Sequence, residues 1–498
     1  MLARSISPAR ALDRILVTVL VRKSICILSL STIADDPRVR RQGQAFYDAG
    51  WEVTAIGIGV ARSPAPDWCI IQADATAPAS DGGEGTSAPP QSREQAKSKL
   101  VRLGRELVPE RYRFVLRPPI RVAYKAVDAS LLIFRASRAA VRSSLARRAV
   151  RNQAIHRDTA GQHDADEKTK LSAQTLAPLP SPMDADKAER DYLAVFEIHR
   201  MYEAARGVKA DFYLANDWHM LPVARSLAKE RDARFGYDTH EYAVEEYRYR
   251  PDFLTTKVPM VRAIEARGLR EAAVATAVSA GIAKDMAALH KVERVPVEIR
   301  NVPNRVVDLS PPLPTRKRMR VYFHGIITFD RGLEECIRSV PLWRPEFVFQ
   351  MRGPIRPEFM PVLKAEIINA GVWDRVEILP EVAMVDLVRA AAEADIGIST
   401  PPSTSKHNIY ALPNKFFEYI QAGLAMCVAD LPDMQRIMAQ YELGVPIRAV
   451  TPEAIAEAVN SFTPELVDSY KANARKAAAD LNWEVEQANL VELYEQAL

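Results

Sequence analysis

The chain has 498 residues, more than one ordinary hydrophobic core organises, so two large domains plus smaller additions are expected. Its 48% hydrophobic and 26% charged residues exclude a wholly disordered chain and a polytopic membrane protein. The net charge is only +4, yet Arg93 to Arg157 holds 17 Lys/Arg against 4 Asp/Glu, so one segment carries the basic character.

Residues 1–22 read as an N-terminal extension. Its apolar patch, Ile15–Val21, is short, lacks a small-residue cleavage site and runs straight into a strand pattern, so it is not read as a signal peptide. No apolar run reaches the roughly 20 residues of a spanning helix, and a cytoplasmic protein is expected, peripheral at most on the inner face of a membrane. Strand Ser24–Leu30, a helix over about 36–49 stopped by Gly50, and strand Glu52–Gly57 form a β-α-β opening; Trp68–Gln72 continues it. Two polar connectors, about 74–92 and 158–186, then flank the basic segment. Its apolar clusters Phe114–Leu116, Val122–Tyr124 and Leu131–Phe134 leave two readings open: an amphipathic element drawn to anionic lipid, or a solvated helical hairpin. With few aromatics and no binding module, nucleic acid is not expected as a partner.

The α/β alternation resumes with a helix over 187–206, strand Phe212–Ala215, a helix over 220–231, strand Arg234–Asp238, a helix through Ala263–Glu271, strand Val274–Val278 and a helix from Gly281. After the proline-rich hinge Leu309–Pro314, a second series has strand candidates at Arg320–Phe323, Phe347–Met351, Val376–Leu379, Ile396–Ser399, Ala425–Ala429 and Val445–Ile447. The expected class is α/β, with two Rossmann-like doubly wound domains facing across a cleft. Residues 23–305 form the first, with a basic helical insertion over about 74–190, and 306–480 the second. A C-terminal helix within 481–498 is expected to return to the first domain.

Phrases that touch a ligand should follow strands, where a doubly wound sheet presents its loops. After the first strand, Arg38, Arg40 and Arg41 could meet an acceptor phosphate or form a solvated helix face. After the strand ending at Ala215 stand Asn216, Asp217, Trp218 and His219; Asn216 or Asp217 could equally cap the next helix. Asp238-Thr239-His240-Glu241-Tyr242 supplies the catalytic candidate of the first half, His240, because a histidine beside acids can position a sugar hydroxyl or share a proton. Arg38, Asp217, His219 and Glu241 are the candidates for the acceptor side of the cleft.

In the second half, Tyr322-Phe323-His324-Gly325 closes a strand, and Asp330-Arg331-Gly332 opens a helix whose N–H groups, with the Arg331 guanidinium, suit a diphosphate. Gly325 permits close approach of the loop. The strongest phrase is Leu412-Pro413-Asn414-Lys415-Phe416-Phe417-Glu418. Pro413 suits a first helical position, Asn414 and Lys415 sit at the positive helix end, and Glu418 can accept from two vicinal ribose hydroxyls. That arrangement suits a nucleoside diphosphate. The cysteines Cys26, Cys69, Cys336 and Cys427 have no ligand spacing, so reduced thiols and no metal are expected. Asp164–Asp166 and Asp184–Asp186 are Asp-x-Asp strings in polar connectors and are read as chance.

With Pro413, Asn414, Lys415, Glu418, Tyr419 and Gly423 in place, the chain resembles the family-four glycosyltransferases, retaining enzymes of the GT-B fold. The resemblance covers roughly 24–73 and 211–498, and takes in Val278–Ile282 and Asn301–Asn304 as two further cleft phrases. It implies that Glu418 binds the donor ribose, that Arg331 grips the diphosphate and that His240 meets donor sugar and acceptor. It departs at two positions. Tyr410 stands where the first acid of the family's Glu-x7-Glu pair belongs, with Asn408 or His407 as its substitute, and Ile326 stands where a second basic residue commonly follows the glycine matching Gly325. The implied activity is transfer of a hexose from a nucleoside-diphosphate sugar to a hydroxyl of a saccharide or lipid-linked acceptor, with retention, without a metal, in polysaccharide or glycolipid synthesis. The donor-binding set is then Gly325, Arg331, Asn408, Asn414, Lys415 and Glu418. The rivals are a GT-B sugar-nucleotide epimerase or phosphorylase, and a catalytically degenerate, membrane-associated GT-B binding protein.

Overall fold

The structure, a computed structural model, describes residues 22–73, 178–309 and 318–498, which lie in one compact unit. The basic segment Arg93–Arg157, the apolar patch Ile15–Val21, the string Asp164–Asp166 and most of the proline-rich hinge lie outside the described residues.

Strands β1 (Ser24–Leu28), β2 (Glu52–Gly57), β3 (Cys69–Gln72), β4 (Phe212–Asn216), β5 (Arg234–Thr239), β6 (Val274–Ala277) and β7 (Val297–Glu298) build one sheet in the order β3-β2-β1-β4-β5-β6-β7. Strands β8 (Met319–His324), β9 (Phe347–Arg352), β10 (Val376–Leu379), β11 (Ile396–Ser399), β12 (Ala425–Ala429) and β13 (Gly444–Ile447) build a second, ordered β10-β9-β8-β11-β12-β13. Every named pairing is parallel. Strands such as β4, β11 and β12 are buried at every residue, as sheets covered by helices on both faces require. The strand order reverses between β1 and β4 and again between β8 and β11, and the crevice at such a reversal is where open α/β sheets bind ligands.

Two differences from the sequence expectation have local causes. The helix expected over 187–206 is two helices, Ala185–Leu193 and Phe196–Arg206, because Val195 between them turns extended (φ −64°, ψ 130°). The first starts early because Asp184 accepts from the Lys187 N–H at 2.8 Å, while Asp186 pairs with Arg267 at 2.7 Å; that Asp-x-Asp string serves helix capping and packing. Strand β7 spans two residues and leaves no periodicity to detect.

The C-terminal helix, Trp483–Gln496, lies on the first sheet's side. Tyr494, fully buried, meets Phe46 and Phe212 edge-on with both centroids at 5.0 Å, and Glu486 receives the Arg300 backbone N–H at 2.9 Å. One apolar cluster therefore runs from Ile25, Phe46 and Trp51 through Trp483 and Tyr494 to Phe416 and Tyr419 under the second sheet. Among the described residues no helix is long and apolar enough to cross a membrane.

Candidate functional site

Strand β5 carries Asp238, a fully buried carboxylate, as its last residue but one. Arg38 grips it with two bonds, Nε to Oδ2 at 2.7 Å and Nη2 to Oδ1 at 2.6 Å. Gln42 donates to it at 2.7 Å and Thr276 at 2.5 Å. Burial opposes its ionisation, but Arg38, by charge and hydrogen bond, and then His240 hold the carboxyl far below the usual range. His240, the next residue but one, points its Nε2 at Asn216 Oδ1 (2.8 Å) and Asp238 Oδ2 (2.9 Å). Both partners are acceptors, which places a proton on Nε2 and leaves Nδ1 3.6 Å from Asp217 Oδ2. Burial works against the charged imidazole, yet Asp217 and then Asp238 raise its pKa overall. His240 is thus held at a strand end by two anchors beneath it.

The arginine expectations need correction. Arg38 is 2% exposed and occupied by Asp238, with Nη2 also donating to the Ile299 carbonyl at 3.1 Å, so it is neither a solvated helix residue nor a contact for an acceptor phosphate. A buried carboxylate on β5 needs a buried cation, and the inward face of the helix Pro37–Asp48 supplies it. Arg40 donates to the Ala34 carbonyl at 3.1 Å, and Arg41 bonds Asn301 and lies over the Trp483 ring, 5.5 Å from its centroid. Asp217 has a left-handed backbone (φ 61°), a strained setting for a residue with a side chain. Neither Asn216 nor Asp217 caps the turn that follows; the Asp217 carboxylate accepts instead from the His240 N–H at 3.1 Å. His219 stacks on Trp218 with centroids 4.2 Å apart, and burial lowers its pKa. Glu241 is about half exposed, and desolvation in the cleft, with Asp217 and Glu246, raises its pKa to about 7.

On the second sheet, β8 delivers Phe323, His324 and Gly325. Gly325 has φ 126°, which a side-chain-bearing residue rarely adopts, and a Cβ there would lie 3.4 Å from Lys415 Nζ. Lys415 lies over the Phe323 ring, 4.0 Å from its centroid. Glu418, one turn on, meets the buried His324 Nε2 at 2.5 Å. Pro413 is extended (φ −70°, ψ 150°) and precedes the helix, so Asn414, not Pro413, is the first helical residue; Asn414 is exposed. Arg331 is exposed, makes no side-chain hydrogen bond among the described residues, and lies close enough to depress the pKa values of Lys415 and His407. Asn408 is partly buried, and its amide reaches Thr404 Oγ1 at 3.4 Å. Gly325, Arg331, Lys415 and Glu418 are thus brought together, while nothing on the protein side ties Asn408 or Asn414 to them.

The loop Thr400–Ala411 crosses between the sheets. His407 Nε2 lies 3.4 Å from Glu241, Lys406 Nζ binds Asp285 at 2.8 Å, and the Lys406 N–H reaches Glu245 at 3.2 Å. Burial and then Arg331 lower the His407 pKa to about 4, so a neutral imidazole sits between the two halves. Tyr410 belongs to this bridge: its carbonyl accepts from Ser279 Oγ at 2.8 Å, and its ring covers Gly281, where a Cβ would come within 2.3 Å of it. Asp433 completes the seam by accepting from the Gly281 N–H at 2.9 Å. Tyr410 therefore packs against the first half instead of lining the donor side, and of the two expected substitutes for the missing acid, His407 lies beside Glu241 and Arg331 across the cleft. Asp238 and His324 were missed as site residues. The only sequence signal for either is a polar residue at the end of an apolar strand, which does not name a partner.

Burial, with Arg331 nearby, lowers the Lys415 pKa to about 7, and only Glu418 and Cys336 work in the other direction. An anion held against the amine favours its charged form, so any phosphate-bearing ligand that binds there above pH 7 should take up a proton. The affinity is expected to fall up to about tenfold per pH unit above 7. Calorimetric titration with inorganic pyrophosphate at pH 8 in buffers of different ionisation enthalpy should register that uptake, and Lys415→Met should abolish it. Among the described residues no group of three or more His, Cys, Asp or Glu is arranged to hold a metal.

No family model matches the sequence, and no curated protein matches it. The fold does have solved counterparts. Sucrose-phosphate synthase from Thermosynechococcus elongatus superposes with a TM-score of 0.57 at 14% identity, covering 95% of this chain and 99% of that one. HepE from Anabaena, in complex with UDP and glucose, gives 0.55 at 11% identity over 95% and 100%. A glycosyltransferase from Rickettsia africae gives 0.53 at 12% identity over 96% and 99%. At such identities the likeness speaks for architecture alone, and that architecture, two parallel sheets of seven and six strands clad in helices, is the GT-B fold.

Proposed function

We propose that the protein is a glycosyltransferase that moves a hexose from a nucleoside-diphosphate sugar to a hydroxyl acceptor. The observation that carries this reading is the cluster at the end of β8: Gly325 without a side chain, Lys415 over Phe323, Arg331 unpaired nearby, and the Glu418 carboxylate beside them. Two cations and a loop that admits close approach suit a diphosphate, and a carboxylate one helical turn away suits the vicinal hydroxyls of a ribose. The solved counterparts support the reading, since HepE was captured with UDP and glucose.

In this scheme the donor nucleotide lies along the second sheet with its sugar toward His240 and the acceptor between Asp217, Glu241 and His240. Arg331 and Lys415 balance the charge that builds on the departing diphosphate, so the reaction calls for no metal. His240, fixed by Asn216 and Asp238, orients a donor-sugar hydroxyl or the acceptor hydroxyl, and the acceptor proton passes to the donor's phosphate. Retention of the anomeric configuration, membership in family four and a part in polysaccharide or glycolipid synthesis rest on the Pro413-to-Gly423 phrase. Carboxylates line the acceptor side and Arg38 is withdrawn from it, which suits an uncharged saccharide or the sugar end of a lipid-linked one. The protein acts in the cytoplasm, and the basic segment Arg93–Arg157 would bring it to an anionic membrane surface.

The test is incubation of the purified full chain with a panel of UDP-, GDP- and dTDP-sugars, scoring binding and hydrolysis. At least one donor should bind and be slowly hydrolysed; a panel without any binding would sink the proposal.

A further inference from the structure

We propose that His324 is a positioning residue that holds Glu418 in the one orientation able to receive a nucleoside's vicinal ribose hydroxyls. This rests on the donor-site reading above. His324 is 2% exposed, and its Nε2 meets Glu418 Oε2 at 2.5 Å. Oε1 of the same carboxylate has no hydrogen-bond partner among the described residues, and the Glu418 side chain is 18% exposed. One carboxylate oxygen is therefore anchored from beneath and the other is available to a ligand.

The imidazole is itself locked. Its backbone N–H donates to the Tyr419 hydroxyl at 3.1 Å, which donates onward to the Ile398 carbonyl at 3.2 Å. Tyr419 and Tyr322 close on the ring edge-to-face, with centroids at 4.9 and 5.6 Å. Glu418 and Tyr419, adjacent on one helix, thus clamp the histidine through its side chain and its backbone. The remaining ring nitrogen, Nδ1, is buried without a partner. Here the single nitrogen in use is the one aimed at Glu418. A carboxylate free to rotate would lose the paired geometry that vicinal hydroxyls need, and a charge-assisted bond to it would weaken accordingly.

The experiment is calorimetric titration of the full chain with UDP and GDP, each beside its 2′-deoxy counterpart, on wild type, Glu418→Ala, His324→Leu, His324→Gln and His324→Asn. Wild type should prefer one ribose nucleotide over its deoxy form by at least about tenfold. His324→Leu should bind that nucleotide at least about tenfold more weakly and show almost no ribose preference, and the double variant with Glu418→Ala should be no weaker than Glu418→Ala alone. His324→Gln, whose amide N–H reaches the place of Nε2, should keep most of the preference, and the shorter His324→Asn should lose it. That pair decides the matter should the leucine variant fail to fold. If His324→Leu or His324→Asn retains the wild-type ribose preference while Glu418→Ala loses it, the positioning role is wrong and the donor site stands. If wild type binds neither of these nor any other nucleotide of the donor panel, the donor-site reading itself fails and takes this proposal with it; if it binds only a dTDP-sugar, whose deoxyribose lacks the vicinal pair, this proposal fails and the donor site stands.

Discussion

His240→Ala is expected to leave the affinity for the donor nucleotide within about twofold of wild type while lowering turnover at least about a hundredfold. The asymmetry follows from placement. His240 hangs from the end of β5 on Asn216 and Asp238, in the first half of the chain, whereas Lys415 and Glu418, the proposed nucleotide site, belong to the second. Glu418→Ala should do the reverse. It removes the proposed ribose contact and leaves a buried His324 without its partner, so nucleotide binding should weaken at least about tenfold while the imidazole at position 240 is untouched. Equilibrium binding measured beside initial rates at saturating donor separates the two. Weak nucleotide binding by His240→Ala with normal turnover would overturn the assignment of the two sides.

Asp238→Leu is expected to be the most destabilising single change at the site. The carboxylate is fully buried and Arg38 is 2% exposed, so removing the acid strands a cation that cannot reach water. Breaking such a pair from one side costs about 3–5 kcal/mol, a large share of the roughly 5–15 kcal/mol that holds a typical domain together. The pH sign is fixed by the direction of the shift. Asp238 sits far below the usual carboxylate range, so its contribution is fully present above about pH 4, declines as pH falls below that, and is lost once pH passes the lower folded value. Urea unfolding at pH 7 therefore measures the whole loss. The double variant Arg38→Met with Asp238→Leu replaces the ion pair by an apolar one and should recover most of the stability. It should stay inactive, because His240 Nε2 has lost one of its two anchors. A double variant no more stable than Asp238→Leu alone would show that Gln42 and Thr276, not Arg38, account for the loss.

Much of the architecture was legible without coordinates, for a physical reason. Buried parallel strands must be continuous apolar runs and covering helices must be amphipathic, so Ile396–Ser399 and Ala425–Ala429 could be bounded to the residue. The Pro413-to-Glu418 phrase was equally local, since its three-residue spacing along one short helix places Lys415 and Glu418 on one face. Partnerships between residues 94 to 200 apart were not. No periodicity tells Arg38, on a helix that looks ready for solvent, that Asp238 waits on β5. None tells Tyr410, in the position of a sugar-binding acid, that Gly281 offers the space its ring fills. Nor does any local pattern tell His324 that its imidazole will support Glu418 and not the ligand itself. Spacing along the chain thus settled the two sheets and the helix that carries the donor candidates, because helix and strand are governed by neighbours a few residues apart. The pairing of charges inside the first sheet, the bridge between the halves and the orientation of both histidines depended on which surfaces the folded chain presses together, and only the tertiary structure decides that.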